Sequence, residues 1–137
     1  MRKCLAAACI MVIAVTPISN HDKQELEVKN IETVTETFDR LSKSFDGEIK
    51  EIGHAITNAE SDFRNICNTE GCRYGIGPMQ IVRSTFEEQC QGNVFNQEDN
   101  IKCGLTMLKR GHYWRWYQSV DKWFLKLSKK AQKIILP

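Results

Sequence analysis

The chain has 137 residues, of which 42% are hydrophobic and 26% are charged. These values are typical of one globular domain, and they exclude a disordered or low-complexity protein. The net charge of +2 is small, and no nucleic-acid-binding motif is present. We therefore expect no nucleic-acid partner.

The N-terminal segment differs in character from the rest of the chain. Arg2 and Lys3 form a basic start, and residues 4–15 are an uncharged apolar run. This order predicts a signal peptide over residues 1–19, because the run is too short to span a bilayer. An uncleaved membrane anchor is the alternative. The sequence thus predicts an exported protein, periplasmic or secreted, whose functional domain occupies residues 20–137.

Four cysteines follow the predicted signal peptide: Cys67, Cys72, Cys90 and Cys103. An even number of cysteines in an exported chain predicts two disulfides. Three pairings are possible, and we favour those between neighbours along the chain, Cys67 with Cys72 and Cys90 with Cys103. The cysteine spacings do not match common zinc sites, so we expect neither a metal nor a cofactor.

The first half of the domain carries a helical pattern. From Ile31 to Phe45, apolar residues recur every three or four positions, which predicts an amphipathic helix. A second helix is predicted after Gly47, and it ends near Glu60. Residues 64–77 contain three glycines and no helical period, so we expect a loop there.

The second half predicts three more helices. A capping box that begins at Ser84 starts a short helix, which stops near Gly92. Asn96 caps another helix that ends at Gly111. A last, basic helix is predicted from about Trp116. No segment has the pattern of a strand, so the predicted fold class is all-α.

Charge is distributed unevenly along the chain. Residues 20–63 carry eleven acidic and five basic residues, whereas residues 109–137 carry eight basic residues and one acidic residue. The basic C-terminal region predicts peripheral contact with an anionic polymer or surface. A solvated helix face explains the same pattern equally well.

Three short motifs follow one another in the middle of the chain. They are Glu60-Ser61-x-Phe63, then Gly-Ile-Gly-Pro-Met-Gln-Ile in residues 75–81, then Asn100-Ile101 in a helix that ends at a glycine. In order and spacing they resemble the lytic transglycosylases of the soluble-transglycosylase type, relatives of goose-type lysozyme. The motifs of that family are a Glu-Ser at a helix end, a Gly-Leu-Met-Gln loop and an Asn-Ile.

The resemblance covers roughly residues 46–110. It implies a monomeric, lysozyme-like helical domain with a glycine-rich active-site loop. The implied substrate is the glycan strand of peptidoglycan, cleaved at the MurNAc–GlcNAc β-1,4 bond. A hydrolytic lysozyme of the same fold is one alternative. A non-catalytic, disulfide-stabilised protein that binds the cell wall is the other.

Glu60 is the predicted catalytic residue. Glycoside cleavage needs a proton on the leaving oxygen, and a carboxylic acid in an apolar setting can supply one near neutral pH. Glu60 follows an apolar helical stripe. The resemblance implies that this carboxyl group protonates the bond oxygen and then takes the proton of the 6-hydroxyl group. The product is a 1,6-anhydro-muramoyl end. Hydrolysis becomes the outcome if another acid holds a water molecule.

The resemblance also implies the residues that bind the substrate. Ser61 corresponds to a serine that hydrogen-bonds near the glutamate, Met79 and Gln80 to the loop that lines the saccharide cleft, and Asn100 to the family asparagine. For Met79, packing in the core is an equal alternative. The chain departs from the family at Pro78, where leucine is usual, and it lacks the Tyr-Asn-x-Gly segment. Tyr113 and Tyr117 lie in the corresponding region, and we expect one of them to replace the missing tyrosine and to contact sugar.

Overall fold

The structure, a computed structural model, describes residues 31–136, and this part of the chain is all-α. The α-helices are α1 (Val34–Ser42), α2 (Gly47–Ser61), α3 (Arg83–Gln89), α4 (Gln97–Lys109), α5 (Val120–Trp123) and α6 (Lys129–Ile135). Three 3-10 helices span Glu70–Cys72, Tyr113–Ser119 and Phe124–Lys126. The described residues form isolated bridges but no strand, so the predicted fold class is confirmed. The predicted signal peptide, residues 1–19, lies outside them.

Helix α2 lies at the centre of the fold and packs against α4, α5 and α6, while α1 packs against α4. Its apolar residues recur at helical spacing and face the core. The side chains of Phe38, Ile52, Ile56, Ile101, Leu105, Leu108 and Trp123 are all fully buried. Each burial of this kind contributes about 1.5–3 kcal/mol to folding. None of the described helices is both long and apolar enough to cross a bilayer.

The helix N-termini differ from the prediction at one point. The predicted capping box at Ser84 is wrong, since α3 begins at Arg83 and Val82 takes the cap position without a side-chain hydrogen bond. Ser84 therefore lies inside the first turn, where it is exposed. Asn96 caps α4 as predicted, because its side chain accepts hydrogen bonds from the backbone N–H groups of Glu98 and Asp99.

Both predicted disulfides are present, with the predicted pairing. The bond between Cys67 and Cys72 closes a short loop after α2. The bond between Cys90 and Cys103 joins the end of α3 to the middle of α4. Cys103 is buried in the core, so the second bond fixes α3 to the central packing.

Loss of the second disulfide is expected to cost more stability than loss of the first. The double variant Cys90→Ala/Cys103→Ala opens a link across 13 residues, and loop-closure entropy predicts a loss of about 3 kcal/mol. The double variant Cys67→Ala/Cys72→Ala opens a link across 5 residues, with a predicted loss of about 2 kcal/mol. Urea unfolding of the oxidised proteins measures both. An unfolding free energy unchanged in Cys90→Ala/Cys103→Ala would show that the second disulfide does not stabilise the fold.

The prediction of one long C-terminal helix from Trp116 is wrong. The region consists of four short helices: the 3-10 helices Tyr113–Ser119 and Phe124–Lys126, and the α-helices α5 and α6. Trp116 has non-helical backbone angles, and its indole N–H donates a hydrogen bond to the backbone oxygen of Met79 at 2.8 Å. Leu127 is extended, and Ser128 caps α6 with its side chain. Tertiary contacts at Trp116 and a new cap at Ser128 therefore divide the basic segment.

Candidate active site

Glu60 lies one residue before the end of α2 and is half-buried. The hydroxyl group of Ser119 donates a hydrogen bond to Oε1 of Glu60. Ser119 also lies 3.2 Å from the backbone oxygen of Trp116, its second possible acceptor. No described residue hydrogen-bonds Oε2 of Glu60. One carboxyl oxygen is thus held in place by Ser119, and the other has no hydrogen-bond partner among residues 31–136.

Ser119 is the site residue that the sequence analysis missed. It lies 59 residues after Glu60 and belongs to no motif. The predicted tyrosines do not occupy its position, since neither Tyr113 nor Tyr117 hydrogen-bonds Glu60 within residues 31–136. Tyr113 is half-buried against the core, and this burial raises the pKa of its phenol group. Tyr117 is 46% exposed.

Asn100 holds the loop that precedes α3. Its Oδ1 accepts a hydrogen bond from the backbone N–H of Met79 at 3.0 Å. Its Nδ2 donates to the backbone oxygens of Ile76 at 2.9 Å and Val94 at 3.1 Å. The side chain is fully buried, so it cannot reach a ligand. Its predicted role in substrate binding is therefore revised to a structural one.

Ser61 joins the same loop to the end of α2, next to Glu60. Its hydroxyl donates to the backbone oxygen of Pro78 at 2.7 Å and accepts from the N–H of Arg64 at 3.2 Å. Ser61 is 2% exposed. Like Asn100, it positions the loop and does not contact a ligand directly.

Met79 is the residue at which these restraints converge. Asn100 binds its N–H, and Trp116 binds its backbone oxygen. The Met79 side chain is fully buried, and its sulfur packs where a Cβ of Gly104 would lie. The predicted contact between this side chain and substrate is therefore replaced by core packing.

A glycine is required at position 77 for two reasons. The backbone there has a φ of +76°, which side chains rarely tolerate. A Cβ would also lie 2.5 Å from the Asn100 amide. Gly77 thus permits the close approach through which Asn100 reaches the neighbouring backbone groups.

A cleft of about 340 Å³ lies beside this loop. It is lined by Gln80, Ile81, Val82, Thr85, Met107, Trp114, Arg115, Trp116, Tyr117 and Gln118. The Arg115 guanidinium stacks on the Trp114 ring, with its Cζ atom 4.1 Å from the ring centroid. Aromatic faces beside a few polar groups suit a ligand that is partly apolar and partly hydrogen-bonding. Glu60 does not line the cleft, but Gln118, the neighbour of its partner Ser119, does.

Gln80 and Tyr117 are the predicted binding residues that the structure brings to this cleft. The Gln80 amide nitrogen donates to the backbone oxygens of Ile66 at 3.0 Å and Gly77 at 2.8 Å. Its Oε1 is buried without a hydrogen-bond partner among the described residues. A buried amide oxygen of this kind is costly unless a donor reaches it.

Three of the four acidic residues of α3 and α4 are engaged elsewhere, and the fourth, Glu87, is exposed. Glu98 pairs with Arg40, and Asp99 accepts a hydrogen bond from the backbone N–H of Asn93. Glu88 lies 3.5 Å from a guanidinium nitrogen of Arg115. The structure therefore gives these carboxylates contacts of their own, and none of these contacts involves Glu60.

The chain was compared with models of known protein families, with curated proteins and with solved structures. None of the three comparisons returns a match. The function is therefore argued from the geometry of the site and from the motifs that its residues carry.

Proposed function

We propose that the chain is a peptidoglycan lytic transglycosylase with a lysozyme-like helical domain and that it cleaves the MurNAc–GlcNAc β-1,4 bond. The observation that carries the proposal is the state of the Glu60 carboxyl group. It is half-buried at the end of an apolar helix, Ser119 holds one oxygen, and no described residue hydrogen-bonds the other. A general acid/base needs a fixed orientation and one oxygen within reach of the substrate.

The proposed reaction uses this carboxyl group twice. In its protonated form Glu60 gives its proton to the glycosidic oxygen, and the bond from that oxygen to C1 of the muramoyl sugar breaks while the N-acetyl group of the substrate assists. The 6-hydroxyl oxygen then forms a bond to C1, and the Glu60 carboxylate takes its proton. The carboxyl group is regenerated and no water is consumed. The product carries a 1,6-anhydro-muramoyl end.

The contacts of three other acids favour this outcome over hydrolysis. A hydrolytic mechanism usually employs a second carboxylate to activate water or to attack the sugar. Glu88, Glu98 and Asp99 contact Arg115, Arg40 and Asn93 instead.

The cleft supports a saccharide as the ligand. In this proposal the ring faces of Trp114 and Tyr117 stack on sugar rings, beside the polar side chains of Arg115 and Gln118. The loop of residues 64–77 and the four residues that follow it then act as the glycine-rich active-site loop. Ser61, Asn100 and Trp116 fix its backbone close to Glu60.

The two disulfides support export, because such bonds persist in oxidising compartments. Peptidoglycan lies outside the cytosol, so the proposed location and the proposed substrate agree. The experiment that tests the function is incubation of purified sacculi with the protein, followed by measurement of soluble glycan fragments. Sustained release supports an enzyme. Co-sedimentation with the sacculi without release would support the non-catalytic wall-binding protein instead.

Removal of the Ser119 hydroxyl is expected to slow turnover. In the variant Ser119→Ala the Glu60 carboxyl group loses its described hydrogen bond and samples other orientations. We expect kcat to fall about tenfold with KM nearly unchanged, because the hydroxyl orients the acid and does not bind sugar. Initial rates on soluble glycan strands separate the two parameters.

The matched control for this prediction is Ser119→Thr, which keeps a hydroxyl group and should restore most of the rate. A change in KM alone, or no rescue by threonine, would refute a positioning role for the hydroxyl. Ser84→Ala alters an exposed serine and should leave both parameters unchanged.

A further inference from the structure

The C-terminal end of the domain presents an apolar groove of about 400 Å³. The groove is lined by Tyr117, Val120, Phe124, Ile135 and Leu136. We call these five residues, together with the exposed residues Lys122, Leu125, Lys126, Lys129, Lys133 and Ile134 of the same segment, the C-terminal surface. Lys130 is also exposed, but it pairs with Glu48 and is not included. The groove does not belong to the saccharide cleft, although Tyr117 lines both.

Large apolar side chains are exposed in the segment of the chain that forms this groove. Leu125 is 81% exposed, Leu136 60% and Ile134 41%. A single exposed leucine is common on soluble proteins. Three such residues within twelve positions, beside a groove with apolar walls, indicate an interaction site.

The charges of the same segment are predominantly basic. Lys122, Lys126, Lys129 and Lys133 form no ion pair with any carboxylate among residues 31–136, whereas Lys130 pairs with Glu48. A second carboxylate of α2, that of Glu51, lies at the N-terminus of α6. It accepts hydrogen bonds from the backbone N–H and the hydroxyl group of Ser128. Asp121 is the acid of the segment itself.

We propose that the C-terminal surface binds the face of an anionic phospholipid bilayer. Lysines attract the negative headgroups, and their aliphatic stems tolerate the interface. Exposed leucines and an apolar groove gain from burial at the boundary of headgroups and acyl chains. A hydrated anionic polysaccharide would complement the lysines but would leave Leu125 and Leu136 in water. The combination therefore favours a bilayer.

The position of Tyr117 links this surface to the saccharide cleft. A protein seated on a membrane through the groove holds the cleft next to that membrane. If the proposed function is correct, glycan strands close to the bilayer are the strands that it cleaves. This consequence rests on the proposed function, whereas lipid binding itself does not.

The test uses the full chain and vesicles of phosphatidylcholine with about one-third phosphatidylglycerol, a content at which basic clusters bind measurably. Two variants remove separate parts of the C-terminal surface. One changes Lys122, Lys126, Lys129 and Lys133 to Gln, and the other is Leu125→Ser/Leu136→Ser. A control with the same charge change replaces the exposed Lys43, Lys50, Lys102 and Lys109 with Gln.

We expect both surface variants to bind the anionic vesicles at least about tenfold more weakly than the control does. If the lysine variant and the control bind alike, the C-terminal surface is not the lipid site. If the leucine variant binds as tightly as the unaltered chain, the lysines act as a general polyanion site and the bilayer proposal fails. Circular dichroism confirms that each variant is folded. No cleavage is measured, so this result is independent of the proposed enzymatic activity.

Discussion

Replacing Glu60 with glutamine is expected to lower the rate of glycan cleavage by at least about a thousandfold, near the upper range for loss of a general acid/base. The amide has the shape of the carboxyl group, and its oxygen can still accept the Ser119 hydrogen bond. It cannot deliver a proton to the glycosidic oxygen or take one from the 6-hydroxyl group. The measurement is the initial rate of fragment release from sacculi.

The control for this prediction is Asp62→Asn. Asp62 is exposed and lies two residues after Glu60, just beyond the end of α2. Its loss should change the rate by less than about twofold, because an exposed carboxylate without an ion pair among the described residues contributes little. Wild-type activity in Glu60→Gln would show that another group performs the chemistry.

The variant Asn100→Ala is expected to destabilise the protein by about 3 kcal/mol or more. The substitution removes three hydrogen bonds and leaves the N–H of Met79 and the oxygen of Val94 buried without a partner, whereas the oxygen of Ile76 keeps the hydrogen bond from the N–H of Ile81. Each unsatisfied group of this kind costs about 1–3 kcal/mol. Chemical denaturation measures the loss.

Asn68→Ala is the matched control for this second prediction. Asn68 lies in the loop between α2 and α3, is exposed, and its side chain forms no hydrogen bond with the described residues. Its replacement should change the unfolding free energy by less than about 0.5 kcal/mol. A loss below about 1 kcal/mol in Asn100→Ala would mean that the loop does not depend on this amide.

Features that depend on local pattern were predictable from the sequence. The apolar spacing of α2 and α4 determines which side they bury, and the Asn96 side chain caps the helix that follows it directly. Cys67 and Cys72 lie five residues apart in one loop, so their pairing needs little knowledge of the fold.

Features that depend on tertiary contacts were not predictable in the same way. The helical pattern after Trp116 is real, but Trp116 has non-helical backbone angles where its indole binds Met79, and the chain is extended at Leu127. The 3-10 helix Tyr113–Ser119 brings Ser119 to Glu60, although no pattern in the sequence indicates that these two residues are in contact.

The motif residues illustrate a related limit. The Asn100 motif indicates a required residue without indicating whether that residue touches substrate or protein. In the structure the Asn100 amide hydrogen-bonds three backbone groups, and the Ser61 hydroxyl hydrogen-bonds the backbone oxygen of Pro78 in the same loop. Among the predicted binding residues, the structure places Gln80 and Tyr117 at the cleft.

The basic C-terminal region has one feature that local pattern predicts and one that depends on tertiary contacts. Its charge was visible in the sequence, whereas its apolar groove forms only because the chain turns at Leu127 and brings Leu136 back beside Phe124 and Tyr117. Charge alone did not distinguish a polymer from a membrane. The groove provides the observation that favours a bilayer.

The most direct test of the central claim is mass spectrometry of the fragments that the unaltered protein releases from purified sacculi. A lytic transglycosylase that uses Glu60 twice without water yields fragments with 1,6-anhydro-muramoyl ends, each lighter by one water molecule than its hydrolysed counterpart. The account predicts that these ends predominate. Fragments with reducing muramoyl ends, or sacculi left intact, would contradict it.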